Sequence, residues 1–177
     1  MKVFEIGSNV KVIGQTIMSI VDAMGAFKAR AYEYLEENGI KDIKDDGWYS
    51  AQGFLNVLKK NYERTGDSSL KVIGMKVPEK AVLPPQIDDI VGVLNLLDKT
   101  YQMNHQGGNI GNYSFTKTGD RTGTMVCDNP YPCAFDQALI ESFMNKFRER
   151  GALPSVKHAE GDCRMEGANS CTYNIKW

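Results

Sequence analysis

The C-terminal stretch gathers the residues best able to do chemistry. Glu160-Gly-Asp-Cys163 is followed by Cys171 and then by the closing run Thr172-Tyr-Asn-Ile-Lys-Trp177. Two thiols and a carboxylate at this spacing are metal donors, and a tetrahedral zinc takes Cys, His or carboxylate ligands. The closing run alternates apolar and polar residues as a final β-strand does. A hairpin there would carry Cys171 opposite Glu160 and Cys163. A fourth donor is needed. Cys133 directly follows Pro132 at an expected helix start, where the positive helix end favours a thiolate. Cys127, at the end of the preceding strand, is the alternative, and His158 could replace either. Without a metal these cysteines read as small buried residues, cysteine being among the most buried types.

The composition sets bounds on the rest. A chain of 177 residues with 42% hydrophobic and 24% charged residues is that of one globular domain spanning 1–177. A net charge of −1, with no Lys/Arg run, gives no electrostatic footprint for nucleic acid. The stretch 10–27 is interrupted by Lys11, Gln15 and Asp22, too often for a membrane span. No secretory signal is read at the N-terminus, so a cytoplasmic location is expected. Clustered cysteines in a reducing compartment read as metal ligands before disulfides.

The elements that must position these donors follow from periodicity. Val10, Ile13, Ile17, Ile20, Val21 and Met24 recur at steps of three and four, predicting helix over 9–38 in one or two pieces, with Gly25 as a break and Asn38-Gly39 as a stop. The run from Phe27 is strongly helical. A second helix is predicted over 48–64, a short one over 67–76, a third over 87–103 and a fourth over 133–149. Residues 107–127 form a β-hairpin around Thr118-Gly-Asp-Arg121, and 155–177 form another. The fold class is therefore α+β, with N-terminal helices packed on an antiparallel sheet of about four strands. Gly107-Gly-Asn-Ile-Gly111 is not preceded by a strand, so it is a turn rather than a dinucleotide loop.

The stretch Glu160-x-x-Cys163-Arg164-x-x-Gly167-x-x-x-Cys171-x-Tyr173-x-Ile175 resembles the closing motif of 4-vinyl-reductase-like domains. Those are small-molecule-binding domains, found for example in aromatic-sensing bacterial activators. They share a fold with haem-NO-binding (H-NOX) domains and with Bet-type subunits of the TRAPP tethering complex. The resemblance covers about residues 133–177 closely and the rest by order of elements. It implies a structural zinc on Cys133, Glu160, Cys163 and Cys171. The extra Cys127 departs from the pattern and keeps one ligand assignment open. Four protein ligands leave no open position for water, so such a zinc is structural rather than catalytic.

The resemblance also implies an apolar cavity between helices and sheet. Its candidate lining is Trp48, Phe54, Tyr101, His105, Met103, Tyr113, Phe115, Met125, Phe135 and Phe143; the plain alternative for each apolar residue is core packing. Haem is a possible cofactor through His105, one of two histidines, but the Tyr-x-Ser-x-Arg propionate grip of H-NOX domains is absent. Asp120, Arg121 and Asp136 read as solvated or capping groups, and no catalytic pair stands out, so an enzyme is less favoured than a sensor. The expectation is a regulatory domain that binds a hydrophobic or aromatic ligand and signals to a separate protein by contact. The 9–38 helix offers a homodimer surface. A haem-based gas sensor and an accessory protein of tetrapyrrole metabolism are the alternatives.

Overall fold

The computed structural model describes residues 1–25, 28–80 and 83–177. The chain runs β1 (Lys11–Ile13), α1 (Gly14–Ala23), α2 (Lys28–Glu37), β2 (Trp48–Ser50), α3 (Ala51–Thr65), α4 (Asp67–Lys80), α5 (Ile90–Met103), β3 (His105–Gln106), β4 (Tyr113–Gly119), β5 (Thr122–Cys127), α6 (Cys133–Lys146), β6 (Ser155–His158) and β7 (Cys171–Lys176). The α+β class and the antiparallel sheet of four strands agree with expectation: the order is β4-β5-β7-β6, all pairs antiparallel. Among the described residues no helix is long and apolar enough to cross a membrane.

The N-terminal third differs from the sequence reading. The predicted helix 9–38 begins as a strand, and the predicted helix 48–64 loses its first three residues to β2. Strand β1 pairs with both β2 and β3 in a second, three-stranded sheet, Val12 lying opposite Tyr49 and His105. Val10 and Val12 are buried, and their apolar spacing runs on into α1, so the local period hides the change of structure. Gly25 adopts φ 48°, the left-handed conformation that breaks α1 from α2. Phe27 lies outside the described residues.

Caps mark the helix starts. Ser50 Oγ accepts from the Gly53 N–H at 3.0 Å, and Asp89 Oδ1 accepts from the Gly92 N–H at 2.6 Å, each satisfying a donor that the first turn leaves free. Helix α4 runs four residues further than predicted, through Pro78. It packs along α6 so closely that a Cβ on Gly74 would stand 2.5 Å from the Phe135 carbonyl oxygen. Ile17 and Val21 on α1, Leu70 and Ile73 on α4 and Ile140 and Met144 on α6 are buried in the shared core, each side chain contributing about 1.5–3 kcal/mol.

Strand alternation fixes which side of the four-stranded sheet meets the helices. Tyr113, Met125, Cys127, Cys171, Tyr173, Ile175 and Val156 are buried, and the registers Tyr113–Cys127–Cys171 and His158–Tyr173 place partners side by side. The sheet thereby presents aromatic rings and sulfurs to α5 and α6.

Candidate metal centre and ligand cavity

Helix α6 begins at Cys133, immediately after Pro132. Its first turn sits over the β6–β7 hairpin, and there Cys133, His158, Cys163 and Cys171 come together. One donor atom from each lies within 4.8 Å of all the others. The Cys133 sulfur is 3.1 Å from that of Cys171 and 3.6 Å from that of Cys163. Sulfurs at the corners of a zinc tetrahedron with ~2.3 Å bonds stand about 3.8 Å apart, so small outward shifts would seat an ion.

The histidine is prepared for the same task. His158 Nδ1 is 2.7 Å from the Ala159 carbonyl oxygen. A carbonyl can only accept, so Nδ1 carries the proton and Nε2 keeps a lone pair. That Nε2 is buried and has no hydrogen-bond partner. A buried imidazole nitrogen without a partner, beside three thiols, fits a metal ligand whose other nitrogen is fixed by a backbone carbonyl.

The Cys171 sulfur is held well below the ordinary thiol range, first by the hydrogen bond from Cys133 and then by the Arg164 backbone N–H. Cys133, the donor, is pushed correspondingly up. A thiol lowered in this way gives up its proton more readily, and the thiolate is the form that binds a metal.

Glu160 and Cys127 are not in this group. Strand β6 ends at His158, and Glu160, though of the same parity, follows the end of the strand on an exposed turn where Gly161 has φ 103°. Cys127 lies opposite Cys171 on β5 but is buried in the core, and burial pushes its thiol up. Of the four ligands expected from sequence, the structure brings three together, and His158 stands where Glu160 was expected.

Directly behind the thiols lies a buried ion pair. Arg164 donates its backbone N–H to Cys171 Sγ at 3.2 Å, and its guanidinium pairs with Asp136 and bonds to Asn129. Both charged side chains are 0% exposed. Asp136, expected to be solvated or capping, is instead wholly enclosed. Burial raises its carboxyl above the ordinary value against the opposing charge of Arg164. Its other oxygen accepts from the Tyr113 hydroxyl at 2.5 Å. Arg121, by contrast, is at the surface, paired with Glu149 at 2.7 Å.

Tyr113 leads to the cavity, a space of about 360 Å³ between α5, α6, α1 and β4. This is within the size range of small-molecule sites. Tyr101, His105, Tyr113 and Phe135 line it, as do Met103 and Phe143. Trp48, Phe54, Phe115 and Met125 do not. Trp48 is on β2 in the other sheet. Phe54 packs edge-on to Tyr131 at 6.2 Å, Phe115 packs on Trp177 at 6.4 Å, and Met125 is fully buried. Tyr131, missed from sequence, is a wall residue. Its only sequence signal was the Pro130-Tyr-Pro132 turn that fixes it ahead of α6.

The aromatic wall is tightly organised. Tyr101 meets Tyr113 edge to face at 5.1 Å and Tyr131 at 6.0 Å, and Tyr131 stacks on Phe135 at 5.1 Å. His105 Nδ1 is 2.9 Å from the Tyr101 carbonyl oxygen and Nε2 is 2.8 Å from the Tyr131 hydroxyl. Burial lowers the imidazole pKa to about 4, so the ring is neutral with its proton on Nδ1.

That tautomer would suit an iron ligand, but the remaining features do not fit haem. The one lone-pair nitrogen of His105 is already bonded to Tyr131, and the single cation lining the cavity among the described residues is Lys99, with no arginine to hold propionates.

Neither a protein-family model nor a curated protein matches the chain. Solved structures do. A mutant H-NOX protein from S. oneidensis in the Fe(II) state aligns with a TM-score of 0.71 at 14% identity, over 93% of this chain and 95% of that one. A mutant Fe(II) H-NOX protein from K. algicida aligns at 0.65 and 12% identity, over 93% and 95%. An oxygen-binding H-NOX domain related to soluble guanylate cyclases aligns at 0.63 and 16% identity, over 92% and 91%. At these identities the likeness is one of architecture, and the chain has an H-NOX-like fold.

Proposed function

We propose that this chain is a regulatory small-molecule-binding domain. Its cavity takes a hydrophobic or aromatic ligand, and its Cys133–His158–Cys163–Cys171 cluster holds a structural zinc. The observation that carries the reading is the aromatic cavity in an H-NOX-like fold. The similarity of the C-terminal motif to 4-vinyl-reductase-like domains supports the choice of an organic ligand, and the failure of the cavity residues to fit haem points the same way. Four protein donors would close the zinc shell, and the ion would tie α6 to the last hairpin, contributing folding free energy directly. No catalytic step is assigned to any residue.

Signalling in this reading passes to a separate protein by contact, with the chain as a homodimer. The apolar face of α1 is largely taken up within the chain, with Ile17 and Val21 buried, whereas Tyr32 on α2 is exposed. A dimer through the N-terminal helices would therefore use α2, and sedimentation of the protein with Tyr32→Ala checks it.

Native mass spectrometry and an absorption spectrum of the protein as isolated test the main reading. One zinc per chain without a Soret band is the expected result. A Soret band that disappears in His105→Ala would replace the organic ligand with haem and make the domain a gas sensor.

A further inference from the structure

The hydrogen bonds of the cavity wall run in one direction. Tyr101 donates its hydroxyl proton to the Ile110 carbonyl oxygen at 2.6 Å. Tyr113 donates to Asp136 Oδ1 at 2.5 Å, where the ion pair with Arg164 keeps the carboxylate an acceptor. His105 has its proton on Nδ1, held by the Tyr101 carbonyl, so Tyr131 must donate to Nε2. The residues Tyr101, His105, Tyr113 and Tyr131 are all buried, and the proton of each hydroxyl and of the imidazole is committed inside the protein. Each phenol oxygen still has lone pairs. The ordinary polar donors of the lining, such as Lys99 and Asn104, are exposed or half-buried, and the buried Ser19 donates its hydroxyl to the Gln15 carbonyl at 3.2 Å.

We propose that the buried end of the cavity is an acceptor-only surface. It selects aromatic ligands that bring their own hydrogen-bond donor, a hydroxyl or an amine, and disfavours those whose polar atom can only accept. This rests on the cavity being the ligand site. A donor-bearing ring satisfies a phenol oxygen of the wall on entering. An ether oxygen meets another oxygen with no proton between them, and both lose the water they had bonded. The same surface disfavours a carboxylate at that end, which would add repulsion from the lone pairs and from Asp136 behind Tyr113.

Calorimetric titration of the protein as isolated with phenol, aniline, toluene and anisole tests this. Phenol and aniline should bind about tenfold or more tighter than anisole, and anisole no tighter than toluene. Anisole equal to phenol, with toluene also binding, overturns the proposal and leaves the cavity as a ligand site. No binding by any of the four, toluene included, removes the cavity reading and the proposal together. His105→Leu supplies a second arm. It frees the Tyr131 proton to turn into the cavity, so the preference for phenol over anisole should shrink several-fold. Tyr131→Phe bares the Nε2 lone pair instead, and the preference should hold or grow. An unchanged ratio in His105→Leu, or a collapsed one in Tyr131→Phe, overturns the role given to this pair.

Discussion

Asp136 and Arg164 face each other with no solvent on either side chain, one helical turn below Cys133 and one residue beyond Cys163. Removing a single partner of such a pair leaves an uncompensated buried charge. Asp136→Leu or Arg164→Met should each cost about 3–5 kcal/mol, and the double substitution should recover much of that loss. Urea unfolding of the three variants measures it. Single variants within about 1 kcal/mol of the parent would mean that water reaches the pair.

The metal cluster makes a prediction that separates His158 from Glu160. Metal analysis of purified protein should find one zinc per chain in the parent and in Glu160→Ala. His158→Ala, Cys163→Ser and Cys171→Ser should come out depleted. Removing the ion with a chelator should lower the unfolding midpoint, because the bound metal stabilises only the folded chain. A full complement in His158→Ala with loss in Glu160→Ala would restore the carboxylate as the fourth ligand.

His105 makes stability depend on pH. Its pKa is lowered from 6.5 to about 4 in the folded protein because burial disfavours the imidazolium. Between those values the unfolded chain binds more protons, so stability falls as pH drops through 6.5 towards 4. The contribution amounts to about 2 kcal/mol between pH 7 and pH 5. Comparing urea unfolding at the two pH values in the parent and in His105→Leu isolates it. The variant should lack that part of the decline, and an identical decline in both proteins would exclude the histidine as its source.

Gly74 is the point of closest approach of α4 to α6. An alanine in an exposed helix interior is ordinarily stabilising relative to glycine. Here its Cβ would meet the Phe135 carbonyl oxygen at 2.5 Å and the Ala138 methyl at 3.1 Å. Gly74→Ala should therefore destabilise by about 1–3 kcal/mol, read as a lower thermal midpoint. Because Phe135 lines the cavity, toluene affinity should fall as well.

The hairpins were legible because β5 and β7 each alternate over six residues, and Thr118 to Arg121 is a clear turn. Strands β1 and β2 were not, since three residues are too few to establish a period of two beside helical runs. Cys133 could be placed from the helix start, a local property. The exchange of Glu160 for His158 could not, because it depends on where β6 stops, and that is set by pairing with β7: the last ladder partner is Tyr173 opposite His158. The cavity wall divided in the same way. Tyr101 and Phe135 lie on helix stripes that the sequence shows, whereas Phe54 and Met125 share the same chemistry and were assigned to the core only by tertiary packing.

Helix α6 carries a thiol of the metal cluster at its first residue and Phe135, Leu139 and Phe143 of the cavity wall along its flank. Mechanically it is a single beam with two loads. A tilt large enough to open the thiol cluster would swing the wall at Phe143, and a guest that presses the wall outward would pull Cys133 against the hairpin. A metal held by the four donors would then be the pivot bearing of the cavity, setting how far its wall could travel if a ligand entered.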